Sequence, residues 1–283
     1  MRKIWVKMGI VCFPSVIIFG RAQVKIDSEQ EKKIEEYYSK LRSPNLMVRY
    51  WAAKYFSQLN ADEISQRAID EVLDLFMRET ERDKKFYELA RKPGRIEDKI
   101  PKELFYLNSE EFAQYYGYLA KTLGKSRDER ALPLLVENYP DPRVIINFGD
   151  LAVDPVICAI RPSDNESRRL NLVRILPYML EEKKEAYVAR GVYRSKIKQK
   201  LIECAISDNS SAVRTSAVKG LGNSGDQDLI PVLEKIAMGD PYHVETKAVA
   251  SIDKDVAPGQ PVSRYPVRLA AQDALKRLRE KGK

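Results

Sequence analysis

Between Asp208 and Gly239, apolar residues fall at helical spacing in two successive runs. Val213, Ala217 and Leu221 recur every four residues, which gives one apolar helical face. Asp208 and Ser210 can cap that helix, and Gly222 and Gly225 end it. Asp226-Gln227-Asp228 opens a second helix. Its face is Leu229, Ile230, Leu233, Ile236 and Ala237, and it ends at Gly239-Asp240-Pro241. The pattern predicts a helical hairpin.

The same template recurs along the chain. Val267-Arg268, Ala271 and Leu275 reproduce the spacing of Val213-Arg214, Ala217 and Leu221, and so do Val48-Arg49, Ala52 and Phe56. The second half repeats too: Leu123-Gly124, Asp128, Pro133 and Leu135 match Leu221-Gly222, Asp226, Pro231 and Leu233 at a constant offset of 98. A weaker copy holds Arg169, Leu172 and Leu176. Marker positions 116, 169, 214 and 268 lie 53, 45 and 54 residues apart, which suits a two-helix unit with loop insertions. Two stretches depart from the array. Ala61–Leu89 carries a long helical signal in Ile64, Ala68, Val72, Leu75 and Phe76, and Arg91-Lys92-Pro93-Gly94-Arg95 after it reads as a charged loop. Pro241–Ser263 holds Val244, Thr246, Val249, Ile252, Val256 and Val262 with Pro258-Gly259 as a turn signal, so a β-hairpin or structured loop is expected near 243–262.

An Asp-…-Val-Arg-…-Ala-…-Leu-Gly run followed by Asp and then Pro inside a second helix resembles a HEAT repeat, and the HEAT-like repeats of phycobiliprotein lyases. The resemblance is closest at 208–240, extends to 263–280 and 110–139, and is weak at 142–206. It implies an all-α solenoid of about five stacked antiparallel hairpins, with inserted segments at about 79–108 and 241–263. Each hairpin buries its apolar face against its neighbours. Val48, Arg49, Asp208, Val213, Arg214, Ala217, Leu221, Val267 and Arg268 then have repeat-structural roles. In such families an Asp and the Arg six positions later often bond between units, as Asp208 and Arg214 would. Arg49, Arg169 and Arg268 have Ser43, Ser163 and Val262 six positions earlier, so this ladder is expected to be incomplete. Gln23–Leu41 and Arg264–Lys283 would cap the two ends.

Residues 1–22 differ from the rest. Arg2, Lys3 and Lys7 precede an apolar run from Met8 to Gly20, and Gly20-Arg21-Ala22 puts small residues where a peptidase would want them. This is the layout of a secretory signal peptide cleaved after Ala22, with residues 23–283 as the mature domain and a periplasmic or extracellular address. An uncleaved anchor and a buried helix are the alternatives. The 283-residue chain has 49 Lys+Arg against 41 Asp+Glu, a formal charge of +8. Removing Arg2, Lys3, Lys7 and Arg21, with no acids, halves that to +4, which weakens a nucleic-acid reading. Cys158 and Cys204 would remain, either paired in an oxidising compartment or as two separate buried thiols.

Candidate chemistry is sparse. One His, His243, has only Glu245 and Asp253 as nearby acids and no second His or Cys to complete a metal site. Glu110-Glu111, Glu181-Glu182 and Asp226/Asp228 read as helix-surface or helix-start acids rather than paired catalytic carboxylates. No cofactor, metal or catalytic residue is expected. The aromatic clusters Tyr37-Tyr38, Tyr50-Trp51, Tyr55-Phe56 and Tyr115-Tyr116 with Tyr118 cannot all face the core, because helical neighbours point about 100° apart. Some serve as interface residues or pack between helices with the hydroxyl in water. Arg190, Arg194, Lys196, Lys198 and Lys200 form either a solvated face or a contact for an acidic partner or membrane surface. The expected function is a non-catalytic protein-binding scaffold of the cell envelope or exterior. Its binding surface would be a concave face made by the second helices, 131–138, 196–206 and 228–238, with Tyr115, Tyr118, Lys198 and Glu234 as partner-binding residues. A structural subunit of an envelope assembly is the alternative; a lyase-like or chromophore-handling enzyme ranks lower.

Overall fold

A computed structural model of the chain describes residues 28–180, 191–247 and 260–282. The expected leader at 1–22, Arg190, the acids at 181–185 and the Pro258-Gly259 turn lie outside the described residues. Those residues are mostly helical. The α-helices are α1 (Ser28–Leu41), α2 (Leu46–Gln58), α3 (Gln66–Ala90), α4 (Ile96–Lys99), α5 (Glu110–Ser126), α6 (Ala131–Asn138), α7 (Pro142–Ile145), α8 (Val153–Ala159), α9 (Glu166–Leu180), α10 (Gly191–Ser207), α11 (Ser211–Asn223), α12 (Ile230–Gly239) and α13 (Pro266–Lys281). Tighter 3-10 turns cover Lys102–Asn108, Ile146–Ala152 and Gln227–Leu229. The strand pair expected in the 241–263 segment is present: β1 (Val244–Lys247) runs antiparallel to β2 (Pro261–Arg264), with Val244 opposite Arg264.

Helix starts follow capping chemistry. Side-chain oxygens of Asn45, Ser65, Ser109 and Ser210 accept the otherwise unpaired amide hydrogens at the starts of α2, α3, α5 and α11. At the end of α11, Gly225 adopts φ 79°, a conformation cheap only for glycine. The helix of α3 runs unbroken to Ala90, so residues 79–90 of the expected 79–108 insertion continue a helix. The remainder is the short α4 and a 3-10 turn. Between α6 and α9 the chain inserts α7 and α8 instead of a full hairpin, which explains why the repeat pattern fades at 142–206.

The apolar face read from the template is the core. Val213, Ala217 and Leu221 are fully buried, as are Ala52, Phe56, Leu172, Leu176, Val267 and Ala271. Burial of a residue such as Leu221 is worth about 1.5–3 kcal/mol. Helices carrying this face form one row, in which α2 packs on α5, α5 on α7, α7 on α9, α9 on α11 and α11 on α13. A second row links α3, α6, α8, α10 and α12. In the first row, glycines permit close approach. A Cβ on Gly220 would stand 2.5 Å from the Pro177 ring, and one on Gly222 2.5 Å from Ala274 Cβ.

The Arg–Asp ladder differs from the expectation. Arg214 Nη1 donates to the Asp208 main-chain carbonyl (2.8 Å), not to its carboxylate. The Asp208 carboxylate is instead gripped by Arg169 from the preceding template helix, at 2.8 and 2.9 Å. Arg214 in turn grips the Asp240 carboxylate at 2.7 and 3.2 Å, and Arg268 Nε donates to the Asp240 carbonyl. The bond six residues back goes to a carbonyl in both Arg49 (to Ser43, 2.8 Å) and Arg214, so any residue type can supply it. An uninterrupted chain of contacts therefore links Arg169, Asp208, Arg214, Asp240 and Arg268. Cys158 and Cys204 are free thiols, the first exposed and the second buried.

Candidate interaction groove

The aromatic pairs divide as helical geometry requires. Tyr38, Tyr50, Phe56 and Tyr115 turn inward, while Trp51 is half exposed and Tyr37, Tyr55, Tyr116 and Tyr118 lie partly buried. Tyr115 is a correction to the sequence reading: its ring is fully buried and cannot meet a partner. The repeat supplies the reason. At the offset of 98, Tyr115 occupies the place of Val213, on the core face. Burial pushes its hydroxyl pKa well up, and Glu79 adds to this.

Tyr118, one helical step away, lines an open groove along the first row. One depression of about 680 Å³ is bordered by Gln114, Tyr118, Lys121 and Lys125 of α5 and by Tyr139, Arg143 and Asn147 around α7. A second, of about 770 Å³, continues past Tyr139 and Arg143 to Asn171, Arg174 and Tyr178 of α9 and to Ser216, Lys219 and Asn223 of α11. Tyr139, Asp141 and Arg143 are common to both, so the two depressions adjoin. Gly117 makes room for the Tyr139 ring, since a Cβ there would be 3.0 Å from its hydroxyl.

The groove is cationic. Lys121, Lys125, Arg143, Arg174 and Lys219 line it, against the single carboxylate of Asp141. Arg143 holds that carboxylate at 2.7 Å. Burial raises the Asp141 pKa, but the hydrogen bonds from Arg143 outweigh it and leave the group below its ordinary value. Lys125 donates to the carbonyls of Ser57 and Leu59, tying α5 to the end of α2, and burial with Lys121 nearby pulls its pKa down. Lys121, Arg174 and Lys219 are exposed and make no ion pair with any described residue.

These cations share one register. Lys54, Lys121, Arg174 and Lys219 each stand five residues after the template markers Arg49, Tyr116, Arg169 and Arg214. Each therefore projects from the same position of α2, α5, α9 and α11, and Arg143 of α7 adds a cation between α5 and α9. Lys54 lies 4.8 Å from the Trp51 ring rather than on a carboxylate. The corresponding residue of α13 is Asp273. Sequence reasoning missed this ladder, although the spacing from the markers was sufficient to find it.

The remaining predicted residues lie elsewhere. Lys198 of α10 is held by Asp226 and Asp228 at 3.5 and 2.9 Å. Glu234 of α12 pairs with Arg279 at 2.7 Å. Of the four residues Tyr115, Tyr118, Lys198 and Glu234, only Tyr118 lines the groove. The second-helix segments 131–138, 196–206 and 228–238 contribute only Asn138 to it. The basic stretch at 194–200 is internally neutralised: Arg194 bonds Asp226, Lys196 bonds Asp154 and Lys200 bonds Glu203. His243 is exposed, with its ring 5.5 Å from that of Tyr265. Glu245 accepts a hydrogen bond from Ser263 rather than facing a metal site. No described helix is long and apolar enough to cross a membrane. Comparison with protein-family models gave no match, and neither did comparison with curated proteins.

Proposed function

We propose that the chain is a non-catalytic protein-binding scaffold, a HEAT-like α-solenoid whose working face is the inner side made by α2, α5, α7, α9 and α11. The observation that carries this reading is the groove itself: exposed cations project from equivalent positions of successive helices, and Lys121, Arg174 and Lys219 make no ion pair with any described residue. Charges left unneutralised along one face favour a partner of complementary charge. Gly220 and Gly222, where a Cβ would fall 2.5 Å from Pro177 and Ala274, let helices of this row approach closely, and the curvature of a solenoid makes extended concave surfaces. The binding face is thus the first row rather than the second helices favoured from sequence.

The cell envelope is the proposed setting, on the strength of the leader-like residues 1–22. A secreted product beginning at Gln23 would support that address, and a full-length product retained in the cytosol would remove it. Photo-cross-linking tests the face. A photoreactive phenylalanine analogue at Asn171, in the groove, should capture a discrete polypeptide in cells, while one at Met238, exposed on α12, should not. The reverse pattern would overturn the assignment.

A further inference from the structure

Resting on that reading of the groove, we infer that its occupant is an extended polypeptide segment bearing carboxylates at about every third residue. The ladder of Lys54, Lys121, Arg174 and Lys219 places one cation per template helix at one position, and Arg143 of α7, already bound to Asp141, stands between α5 and α9. Charge complementarity calls for an anionic occupant. Lys121, Arg174 and Lys219 have no carboxylate of this chain to neutralise them among the described residues.

The spacing sets the register. Packed helix axes lie about 8–10 Å apart. An extended chain advances about 3.3 Å per residue. A strand crossing the row at right angles to the helices therefore passes from one helix to the next in about three residues, and from Lys121 across α7 to Arg174 in about six. Side chains spaced so would meet the ladder one helix at a time, and α13 would end it, because Asp273 repels a further carboxylate.

The occupant is a polypeptide rather than a nucleic-acid strand because of what accompanies the cations. Asn171 presents an exposed amide that no other described residue engages, a donor and an acceptor together, which matches a peptide unit. A phosphate backbone offers acceptors alone and would leave the Asn171 amide oxygen unmatched. Tyr118, Tyr139 and Tyr178 add half-apolar surface suited to side chains between the acidic positions.

Binding is measured by fluorescence anisotropy with the full-length chain and a labelled fifteen-residue peptide carrying Glu at every third position. Controls are an isomer with the same glutamates clustered at one end, a lysine counterpart, and an oligothymidine of equal charge. The spaced peptide should bind best. Lys121→Glu with Arg174→Glu, both at exposed positions, should weaken it by about tenfold with an unchanged circular dichroism spectrum and melting point. Asp273→Lys extends the ladder and should tighten binding of a longer spaced peptide by about two- to fivefold. Equal binding of the clustered isomer, equal binding of the lysine counterpart, tighter binding of the oligothymidine, or indifference to the double reversal would each overturn the inference. If groove cross-links at Asn171 persist while the acidic preference fails, the inference alone falls. If those cross-links are absent, the scaffold reading falls with it.

Discussion

The helices after Glu166 and those before Ser126 bury an arginine at the same template position and satisfy it in different ways. In the later part, Arg169 and Arg214 each hold a carboxylate from the unit that follows through two parallel bonds. Such bidentate pairs are short, directional and strong. In the earlier part, Arg49 keeps the carbonyl contacts to Ser43 and Pro44 but reaches Glu79 of α3 only at 3.4 Å, and its Nε is buried without a hydrogen-bond partner. The cause lies in the next helix start. Asp208 stands two residues before the Ser210 cap of α11, whereas Leu107 stands two residues before the Ser109 cap of α5. Glu79, 1% exposed, fills the gap and is shared with Arg82 and Tyr106. One half is thus held together by ionic rungs between units, and the other by an aromatic core wrapped around a single shared carboxylate.

The largest test of this contrast removes the arginines. Arg214→Ala strands the buried Asp240 carboxylate and should cost about 3–5 kcal/mol, as loss of one partner from a buried pair does. At this chain length that is a fall of about 2–4 °C in Tm per kcal/mol. Arg49→Ala should cost less, about 1–3 kcal/mol, because Glu79 keeps Tyr106 and Arg82 and an unpartnered Nε is removed. Thermal melts of the two variants decide it. Equal losses would show that the ionic rungs carry no more weight than the aromatic half.

Glycine substitutions come next. Gly222→Ala puts a Cβ 2.5 Å from that of Ala274, with backbone at 2.8 Å, so α11 and α13 must separate. Overpacking of this kind costs about 1–3 kcal/mol. In the earlier part, Gly117→Ala meets only the end of the Tyr139 side chain, which can swing aside. It should melt near the wild type while disturbing the groove. A larger loss at Gly117 than at Gly222 would show that the Tyr139 side chain cannot move aside.

Much of this was legible in the sequence, for reasons that differ by residue. The core face followed from Val213, Ala217 and Leu221, because a helix repeats every 3.6 residues whatever surrounds it. Placing Tyr115 on a surface neglected that rule, since the offset of 98 already put it on the core face. The ladder of Lys54, Lys121, Arg174 and Lys219 obeyed the same periodicity and was readable in principle. The partners of Arg169 and Arg214 were not. They depend on how far one unit is displaced against the next, and the spacing within a unit does not encode that. Nor was the neutralisation of Lys198 by Asp226 and Asp228, which arises from a loop folding back onto α10.

Alkaline titration separates the halves without mutation. Burial, with the hydrogen bond to Glu79, pushes the Tyr106 pKa up to about 12 from 10.0. Tyr115 and Tyr116 are raised further, again chiefly by burial. A raised folded-state pKa means that the stabilisation is whole below pH 10 and is lost as pH climbs through the folded value. The earlier helices should therefore open first between pH 10 and about 12, seen as tyrosinate absorbance rising with loss of amide protection there. The hydrogen bonds to Asp208 raise the Arg169 pKa, so the ionic rungs outlast the tyrosines and protection in α9 and α11 should persist to higher pH. Simultaneous opening of both halves would mean that the aromatic core and the ionic rungs unfold as one unit.

The smallest expected effect has the opposite sign to the rest. The Tyr115 hydroxyl is buried and makes no hydrogen bond. Tyr115→Phe removes a polar group whose desolvation brings no compensating bond, so it should leave stability unchanged or raise it by up to about 1 kcal/mol. The neighbouring Tyr106→Phe deletes a 2.6 Å bond to the buried Glu79 carboxylate and should cost about 1.5–3 kcal/mol, the range for hydrogen bonds to charged groups. Both substitutions remove one oxygen from the same aromatic cluster, so packing changes cancel in the comparison and hydrogen bonding alone remains. Urea midpoints measured at constant m-value resolve the pair. A loss at Tyr115 matching that at Tyr106 would mean that the Tyr115 hydroxyl has a partner after all, with the nearby Arg49 guanidinium the group placed to supply it.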